Sequence, residues 1–430
     1  MSNSPKEILK FVEENDVKFI RLTFCDIFGN LKNMAIMPNE LEHAFTYGIP
    51  FDASEFSESN SDLFLVPDIS TLSVLPWRPK SGRVVRFFCM LKNHDGTDFS
   101  GDIRTNLINY INELRLNGYS CEMGTRCEFY LFELDEKGDP TDIPHDNGGY
   151  LDVAPLDKCE NARREICLSL EEMGLKPKGS CHKHGSGQNE IDFHENEPVT
   201  AADDMVHYKT VVKSIAAQCG LFASFMPKPL LDEHGSALIF SISLKKNGEN
   251  IFGNTPENIS HEGKCFISGI LRRIREITAF LNPTTNSYKR FGVGYAPQYV
   301  NWSSKNCSAL IKIPHIAGTP PRIEIRSADA SCNPYIAFRL ILSAGIEGIK
   351  SGDCSLYDKN RAGGISYEKL PENFEDAVNI AKNSDFIKQN LPIHVIETLI
   401  NYYQIQVHEF NKRTSENQDS FEHEYYFKKL

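Results

Sequence analysis

The chain has 430 residues, a hydrophobic share of 40% and a formal net charge of −12. This length exceeds that of one ordinary domain, so we expect two or three units with sizeable cores. The acidic charge argues against nucleic acid and anionic lipid as partners. No apolar run in the sequence approaches the ~18 residues that a membrane-spanning helix requires, so we do not expect a membrane protein.

Whether the cysteines form disulfides depends on the compartment in which the protein resides. The amino-terminal residues lack the basic head and apolar run of an export signal, so we expect a cytoplasmic protein. The 12 cysteines then meet a reducing environment, in which disulfides are not expected. None forms a C-x-x-C pair, and Cys25, Cys89, Cys127 and Cys265 lie among apolar neighbours. This is typical of buried free thiols.

The first hundred residues alternate short β-type runs with turns, which predicts a small sheet-rich domain over residues 1–100. Strands are predicted at residues 17–24, 32–37 and 83–91, and a turn at residues 26–30 joins the first two as a hairpin. A polar turn at residues 92–96 precedes a helical pattern that starts after Asp102. We therefore place a domain boundary near residue 100.

Residues 101–430 mix strand and helix patterns, which predicts an α+β domain. Predicted strands occupy residues 128–134, 190–193, 237–244, 309–313 and 322–326. Predicted helices occupy residues 159–173, 200–218, 263–281 and 333–348, and a helical tail runs from residue 374 onward. The sequence shows no internal repeat.

Three predicted strands carry charge on one face and apolar residues on the other, because side chains alternate along a strand. The charged faces comprise Arg126, Glu128 and Tyr130, then Gln188, Glu190 and Asp192, then Arg322, Glu324 and Arg326. Such faces fit a sheet that is half exposed to water. Carboxylates interleaved with arginines also fit a channel that holds cations and phosphates. The common nucleotide motifs do not decide between these two interpretations, since the sequence has neither a G-x-x-x-x-G-K-[ST] loop nor a complete G-x-G-x-x-G fingerprint.

Several segments closely resemble glutamine synthetase of the bacterial type, in their order and spacing as well as their residues. They are GQNEIDF at 187–193, FMPKP at 225–229, NPTTNSYKR at 282–290 and NPY at 333–335. FDAS at 51–54 and PWRP at 76–79 extend the likeness to nearly the whole chain. The chain is therefore identified as a member of that family.

The resemblance implies a β-grasp amino-terminal domain and a catalytic domain with a curved antiparallel sheet flanked by helices. In the family this sheet forms a funnel between neighbouring subunits of a double-ringed dodecamer. The implied reaction belongs to nitrogen metabolism: ATP phosphorylates the γ-carboxylate of glutamate, and ammonia displaces the phosphate. The implied cofactors are ATP and magnesium or manganese, which neutralise the phosphates.

The resemblance also assigns roles to residues. The surviving metal ligands correspond to Glu128, Glu190 and Glu324. The substrate-binding positions correspond to Gly235, Arg290 and Arg326. The nucleotide-binding positions correspond to Ser243 and Arg322. The catalytic positions correspond to Arg326 and to Asp52, which in the family reaches into the neighbouring subunit and helps to deprotonate ammonium.

The sequence departs from the family pattern at positions that would bind metal and ammonium. GTRCEF at 124–129 places Arg126 where a metal carboxylate belongs, and CHKH at 181–184 places Lys183, or His182 if the spacing is counted one longer, at another. GSALI at 235–239 places Ile239 at a ligand histidine. GYAP at 294–297 lacks the flap glutamate, and Cys307 and Lys312 replace two arginines.

These departures lead us to expect a catalytically impaired pseudoenzyme that keeps the assembly and has a binding or regulatory role. The alternative is an active ATP-dependent carboxylate–amine ligase, either a glutamate–ammonia ligase or a γ-glutamyl-amine synthetase. In that case Arg126 and Lys183 would substitute for metal beside the phosphates.

Two further alternatives concern ligands and partners. His182 and His184, two residues apart, are candidates for zinc ligands, but exposed or internally bonded histidines are the commoner outcome. Because each family funnel is built from two subunits, we expect a double-ringed homo-oligomer. Association with an authentic glutamine synthetase in mixed rings is a further possibility.

Overall fold

The computed structural model describes residues 4–54, 62–76, 82–361 and 367–430. Their strands form two sheets, one of six strands towards the amino terminus and one of ten strands in the remainder. The predicted α+β class is confirmed. No helix within these ranges has the length and apolarity needed to span a bilayer. The PWRP segment at 76–79 falls largely outside the described residues.

The smaller sheet contains the predicted hairpin. The elements of this part are α1 (Pro5–Glu14), β1 (Val17–Cys25), β2 (Leu31–Ile36), α2 (Leu41–Tyr47), β3 (Ile49–Phe51), β4 (Leu63–Pro67), β5 (Ser73–Val74) and β6 (Arg83–Lys92). The strand order is β2-β1-β6-β4-β3, with β5 also paired to β6 and with β1 and β6 parallel. Asp26 accepts hydrogen bonds from the backbone of Phe28 and Asn30 at 3.0 and 2.8 Å, which turns the chain between β1 and β2.

The larger sheet is flanked by helices. Its part of the chain contains α3 (Ile103–Leu116), β7 (Tyr119–Leu134), β8 (Pro140–Pro144), α4 (Glu160–Glu172), β9 (Pro177–His182), β10 (Gln188–Phe193), α5 (Pro198–Gln218), β11 (Leu221–Ser224), β12 (Leu238–Lys246), β13 (Glu249–Asn250) and α6 (His261–Leu281). It continues with β14 (Trp302–Ser303), β15 (Ile311–Lys312), β16 (Ile323–Ile325), α7 (Pro334–Ser351), α8 (Ser355–Arg361), α9 (Phe374–Lys382), α10 (Asp385–Asn390), α11 (Ile393–Asn411) and α12 (Ser415–Tyr426). The main strand order is β14-β15-β16-β12-β7-β10-β9.

Two predicted strands differ in length from those observed. β7 begins at Tyr119 rather than at residue 128, because residues 119–127 pair with the whole of β12. The strand predicted at 309–313 is reduced to Ile311 and Lys312, because only these residues pair with β14 and β16. Long-range pairing, which local sequence does not reveal, sets both lengths.

Helices cover one face of the larger sheet, and the polar side chains of its central strands point to the other face. Phe129 of β7 packs on Tyr208 of α5 with ring centroids 6.2 Å apart. Phe240 of β12 packs on Phe338 of α7 at 5.0 Å. All four rings are fully buried. Because alternate side chains point the opposite way, the polar residues of β7 and β12 are directed to the face without these helices.

Buried polar contacts tie the two parts of the chain together. Arg104 of α3 forms ion pairs with Asp68, which follows β4, and with Asp203 of α5, at 2.9 and 2.8 Å. Asn333 caps α7 by accepting from the backbone of Tyr335 and donates its amide to the carbonyl of Asp26 at 3.1 Å. The hairpin turn is therefore fixed against the helix that supports the larger sheet.

Candidate ligand site on the inner face of the larger sheet

The charged faces predicted from alternation lie together on one face of the larger sheet, here called the inner face. Cys127, Ile191 and Ile323 are fully buried on the opposite face, which confirms the alternation. The strand register places Glu190 of β10 directly opposite Glu128 of β7. Neighbouring carboxylates at that spacing repel, so the pair requires a cation between them.

Lys183 supplies that cation. Its Nζ lies 3.3 Å from Oε1 of Glu128 and 3.1 Å from Oε2 of Glu190. Glu128 also accepts from the backbone N–H of Ala237 at 2.7 Å and from the side-chain amide of Gln188 at 3.4 Å. Glu128 is thus held by hydrogen bonds, and one ammonium group contacts both carboxylates.

Arg126 connects the next pair of carboxylates. Its Nη2 lies 3.4 Å from Oε2 of Glu324, and its Nε lies 3.7 Å from Oε2 of Glu190. Nη1 of Arg326 approaches the same Oε2 of Glu324 at 3.5 Å. We call these residues the ion-pair cluster. Its members are Arg126, Glu128, Lys183, Glu190, Glu324 and Arg326.

The pKa shifts follow from this arrangement. Burial lowers the pKa of Arg126, but the charges of Glu190 and Glu324 outweigh burial and leave that pKa raised. Burial likewise lowers the pKa of Lys183, and the charges of Glu128 and Glu190 overcome it and raise that pKa. Burial and the charge of Glu128 raise the pKa of Glu190, although Lys183 and Arg126 oppose them. Both bases are therefore charged at neutral pH.

The residues present do not fit a magnesium or manganese site. Such ions take oxygen ligands, but the oxygens of Glu128, Glu190 and Glu324 face ammonium and guanidinium groups at short distances. Ile239, which is 4% exposed and pairs with Arg126 across the sheet, offers no ligand atom. The ion-pair cluster balances three acids with three bases, so it lacks the excess negative charge that attracts a divalent ion.

Arg290 and Gly235 form a second feature of the site. The Arg290 side chain is 1% exposed, and its Nη1 donates to the carbonyl of Ser327 at 3.2 Å and lies 3.5 Å from Oδ2 of Asp329. Its Nε and Nη2 have no hydrogen-bond partner among the described residues, and burial lowers its pKa. A Cβ on Gly235 would lie 2.5 Å from Cγ of Arg290, so only glycine fits there. Unpaired guanidinium N–H groups in this position favour an anionic ligand.

The two predicted nucleotide residues lie near one carboxylate, that of Glu195. Ser243 of β12 pairs with Glu122 of β7 and lines a cavity of about 450 Å³ together with Lys245 and Glu195. Nη1 of Arg322 lies 2.6 Å from Oε1 of Glu195. The structure therefore brings Ser243 and Arg322 to the same region, beyond Arg126 along β7.

Asp52 is not brought to the ion-pair cluster within one chain. It is an exposed residue that follows β3. Its Oδ1 accepts from the backbone N–H of Ser54 at 2.9 Å, and hydrogen bonds from the backbone and side chain of Ser54 lower its pKa. Its expected role toward a neighbouring subunit remains a prediction.

His182 and His184 do not form a metal pair. His182 is buried, its Nε2 lies 2.9 Å from Oδ1 of Asp146, and its Nδ1 lies 2.8 Å from the carbonyl of Lys183. Both ring nitrogens are thus engaged, which confirms the interpretation of an internally bonded histidine. β9 ends at His182, so His184 does not share its strand face.

His184 instead belongs to a group of rings that the sequence analysis missed, here called the aromatic cluster. Its ring lies 4.4 Å from that of Tyr150, 4.9 Å from that of His234 and 5.4 Å from that of Tyr295. Nζ of Lys183 lies 5.5 Å from the Tyr150 ring, so the aromatic cluster adjoins the ion-pair cluster. The sequence feature that could have pointed to this cluster was Tyr295, which stands in the shortened GYAP segment.

Comparison with known proteins identifies matching families and relatives. The model of the glutamine synthetase catalytic domain matches residues 100–422, and that of the glutamine synthetase beta-grasp domain matches residues 16–94. A glutamine synthetase from Methanosarcina mazei is 43% identical over 408 residues, which cover 91% of each chain. One from Clostridium saccharobutylicum is 41% identical and covers 91% of this chain and 92% of its own.

Solved structures agree on the fold. A glutamine synthetase from Plasmodium falciparum superimposes with a TM-score of 0.86 at 22% identity, covering 96% of this chain and 98% of its own. GmaS in complex with ADP gives a TM-score of 0.84 at 23% identity, with coverage of 98% and 99%. The predicted fold, a β-grasp domain followed by a catalytic domain with a helix-flanked sheet, is confirmed.

Replacement of Lys183 by methionine tests the ion-pair cluster. We expect Lys183→Met to lower the free energy of unfolding by about 2–4 kcal/mol at pH 8, because it leaves two buried carboxylates facing each other. Burial and the charge of Glu128 already raise the pKa of Glu190 above its unfolded value, and loss of the ammonium removes a charge that opposes them. Stability therefore falls as the pH rises, and the loss should be smaller at pH 5. Urea denaturation at both pH values measures this.

The matched control is Lys178→Met in β9, the strand that ends just before Lys183, where a 37% exposed lysine lies 3.9 Å from Asp192. We expect the control to cost less than about 0.5 kcal/mol at either pH. Equal losses for the two variants would mean that Lys183 does not neutralise the glutamates.

Proposed function

Because the chain belongs to the glutamine synthetase family, we propose that it is an ATP-dependent ligase that joins a carboxylate to an amine. The observation that carries the proposal is the anion-binding geometry of Arg290, whose buried guanidinium has unpaired Nε and Nη2 beside Gly235. The relatives named glutamine synthetase favour glutamate as the carboxylate substrate. They support a ligase better than they support an impaired protein.

In this proposal the basic side chains of the ion-pair cluster take over charge neutralisation. Bound ATP would supply the phosphoryl group that activates the substrate carboxylate. Arg290 and Arg326 would hold carboxylate and phosphoryl oxygens, since guanidinium binds such groups bidentately. Arg126 and Lys183 already stand among the carboxylates, so a nucleotide would enter a site of balanced charge rather than one of repelling acids.

The aromatic cluster indicates an amine other than ammonium. Tyr150 and Tyr295 are each 52% exposed and flank His184, so an incoming amine meets ring faces. Ring faces attract alkylammonium groups and pack against their apolar parts. Burial, then the charges of His234 and Lys183, lower the pKa of His184. A neutral imidazole at this position would accept the proton that the amine must lose.

An assay for ADP release tests the ligase proposal. The full chain is incubated with ATP and glutamate, with ammonium, methylamine or benzylamine, in EDTA, magnesium or manganese. We expect turnover to be faster with an organic amine than with ammonium, and to persist in EDTA. Arg326→Ala should reduce turnover by about 100-fold, because it removes a charge that stabilises the transferring group. The control Arg164→Ala alters an arginine whose side chain is 66% exposed and should have no effect.

A second candidate is an impaired family member that binds ligands without turnover. The specific observation in its favour is that Glu128, Glu190 and Glu324 are all engaged by basic side chains. Such a protein would retain anion binding through Arg290 while lacking metal-dependent catalysis. Nucleotide binding without ADP release in any arm of the assay would favour this candidate over the ligase.

Restoring the family's metal ligands tests whether the basic side chains alone prevent metal binding or whether the site has changed more widely. We expect the triple variant Arg126→Glu, Lys183→Glu and Ile239→His to bind manganese at least about 100-fold more tightly than the natural chain, because it removes two charged bases and adds three ligands. Isothermal titration with manganese measures this. The control is the double variant Arg164→Glu and Lys158→Glu, which also replaces two bases by two acids but lies away from the site. Tight binding of two manganese ions by the natural chain would refute the role given to Lys183 and Arg126.

We also infer a double-ringed homo-oligomer in which neighbouring chains share sites. Exposed Asp52 lies apart from the ion-pair cluster in one chain, as expected for a residue that serves a neighbour. Mass photometry should give a dodecamer for the natural chain and for Asp52→Ala, and Asp52→Ala should lose ligase turnover. A monomer would contradict the inference. Co-expression with an authentic glutamine synthetase tests mixed rings, and recovery of homo-oligomers alone would count against them.

A further inference from the structure

We propose that His261, Cys265 and Cys354 form a zinc site at the junction of α6 and α8, apart from the inner face. His261 is the first residue of α6 and Cys265 lies one turn later, so the two side chains share a helix face. Cys354 immediately precedes α8. The ligand atoms of His261, Cys265 and Cys354 all lie within 4.8 Å of one another.

The distances fit tetrahedral zinc. Nε2 of His261 lies 3.6 Å from Sγ of Cys265. A tetrahedral ion with a zinc–sulfur distance of ~2.3 Å and a zinc–nitrogen distance of ~2.1 Å separates such atoms by about 3.6 Å. Sγ of Cys354 lies 3.3 Å from Oδ2 of Asp358, one turn into α8, and water would fill the fourth position of the ion. Both cysteines are free thiols, as zinc ligation requires.

The surrounding contacts hold these groups in place. The backbone N–H of Tyr357 donates to Oγ of Ser268 in α6 at 2.9 Å. The Tyr357 ring stacks on Trp302 of β14 with centroids 4.1 Å apart, and Trp302 Nε1 donates to the carbonyl of Tyr357 at 3.0 Å. Asp353 forms an ion pair with Arg272 of α6. α8 is therefore fixed against α6 before any ion binds, which lowers the ordering cost of ligation.

Burial and ligand type favour a soft ion with access from solvent. Cys265 is 1% exposed, whereas His261 is exposed and provides an entry path. One imidazole and two sulfurs favour zinc over magnesium or manganese, which take oxygen ligands. The ion would tie the start of α6 to α8. This inference does not rest on the ligase proposal, because none of the three residues belongs to the ion-pair or aromatic cluster.

Titration of the metal-free full chain with cobalt tests the site. We expect one cobalt ion per chain with thiolate-to-metal absorption, complete displacement by zinc, and a raised melting temperature with zinc bound. Cys354→Ser and His261→Asn should each weaken cobalt binding by about 100-fold, since each removes a ligand. Both residues are only partly buried or exposed, so these variants should fold even if Cys265→Ser does not.

Cys219→Ser and His315→Asn are the controls, because both residues are exposed and lie outside the site. They should bind cobalt as the natural chain does. The proposal is overturned if the natural chain shows no thiolate absorption, if Cys354→Ser binds cobalt with unchanged affinity, or if mass spectrometry of the chain kept in reducing buffer finds a Cys265–Cys354 disulfide.

Discussion

The opposition of Glu128 and Glu190 across β7 and β10 is the constraint on which the inner face depends. The register fixes the two carboxylates in neighbouring positions, and the charges must be neutralised wherever water is scarce. Lys183 does this with one ammonium group that touches both. Arg126 then occupies the space toward Glu324, so each of the three glutamates faces a basic side chain.

The fold tolerates Lys183 and Arg126 on its inner face because its stability derives from the other face of the same strands. Cys127, Phe129 and Ile323 are fully buried beneath the helices, and none of them contributes to the ion-pair cluster. Alternation along a strand makes the two faces nearly independent. A family member can therefore keep its sheet and helices while the chemistry of the inner face changes, and likeness in fold alone does not determine activity.

The sequence predicted well which face of each strand carries charge, and it predicted the details of the site only in part. Alternation placed Glu128, Glu190 and Glu324 on the charged faces of their own strands, because a single strand carries that information, and the family resemblance implied that these faces line one site. It did not decide between His182 and Lys183, since a shift by one residue reverses a strand face and β9 ends at that point. The aromatic cluster comes from four separate segments. The spacing of His261 and Cys265 was visible, but Cys354 lies on another element and only the fold brings it near.

Arg290 shows why ligand binding and metal binding are separable in this site. Its charge is opposed by Asp329, yet two of its N–H groups remain unpaired in a buried position, which is costly unless something completes them. A Cβ on Gly235 would lie 2.5 Å from Cγ of Arg290, so glycine at this position leaves room for the Arg290 side chain. In the proposed function, an anionic substrate would complete these N–H groups whether or not a metal ion is present nearby. The proposed role of Arg290 thus does not depend on the charges of Lys183 and Arg126.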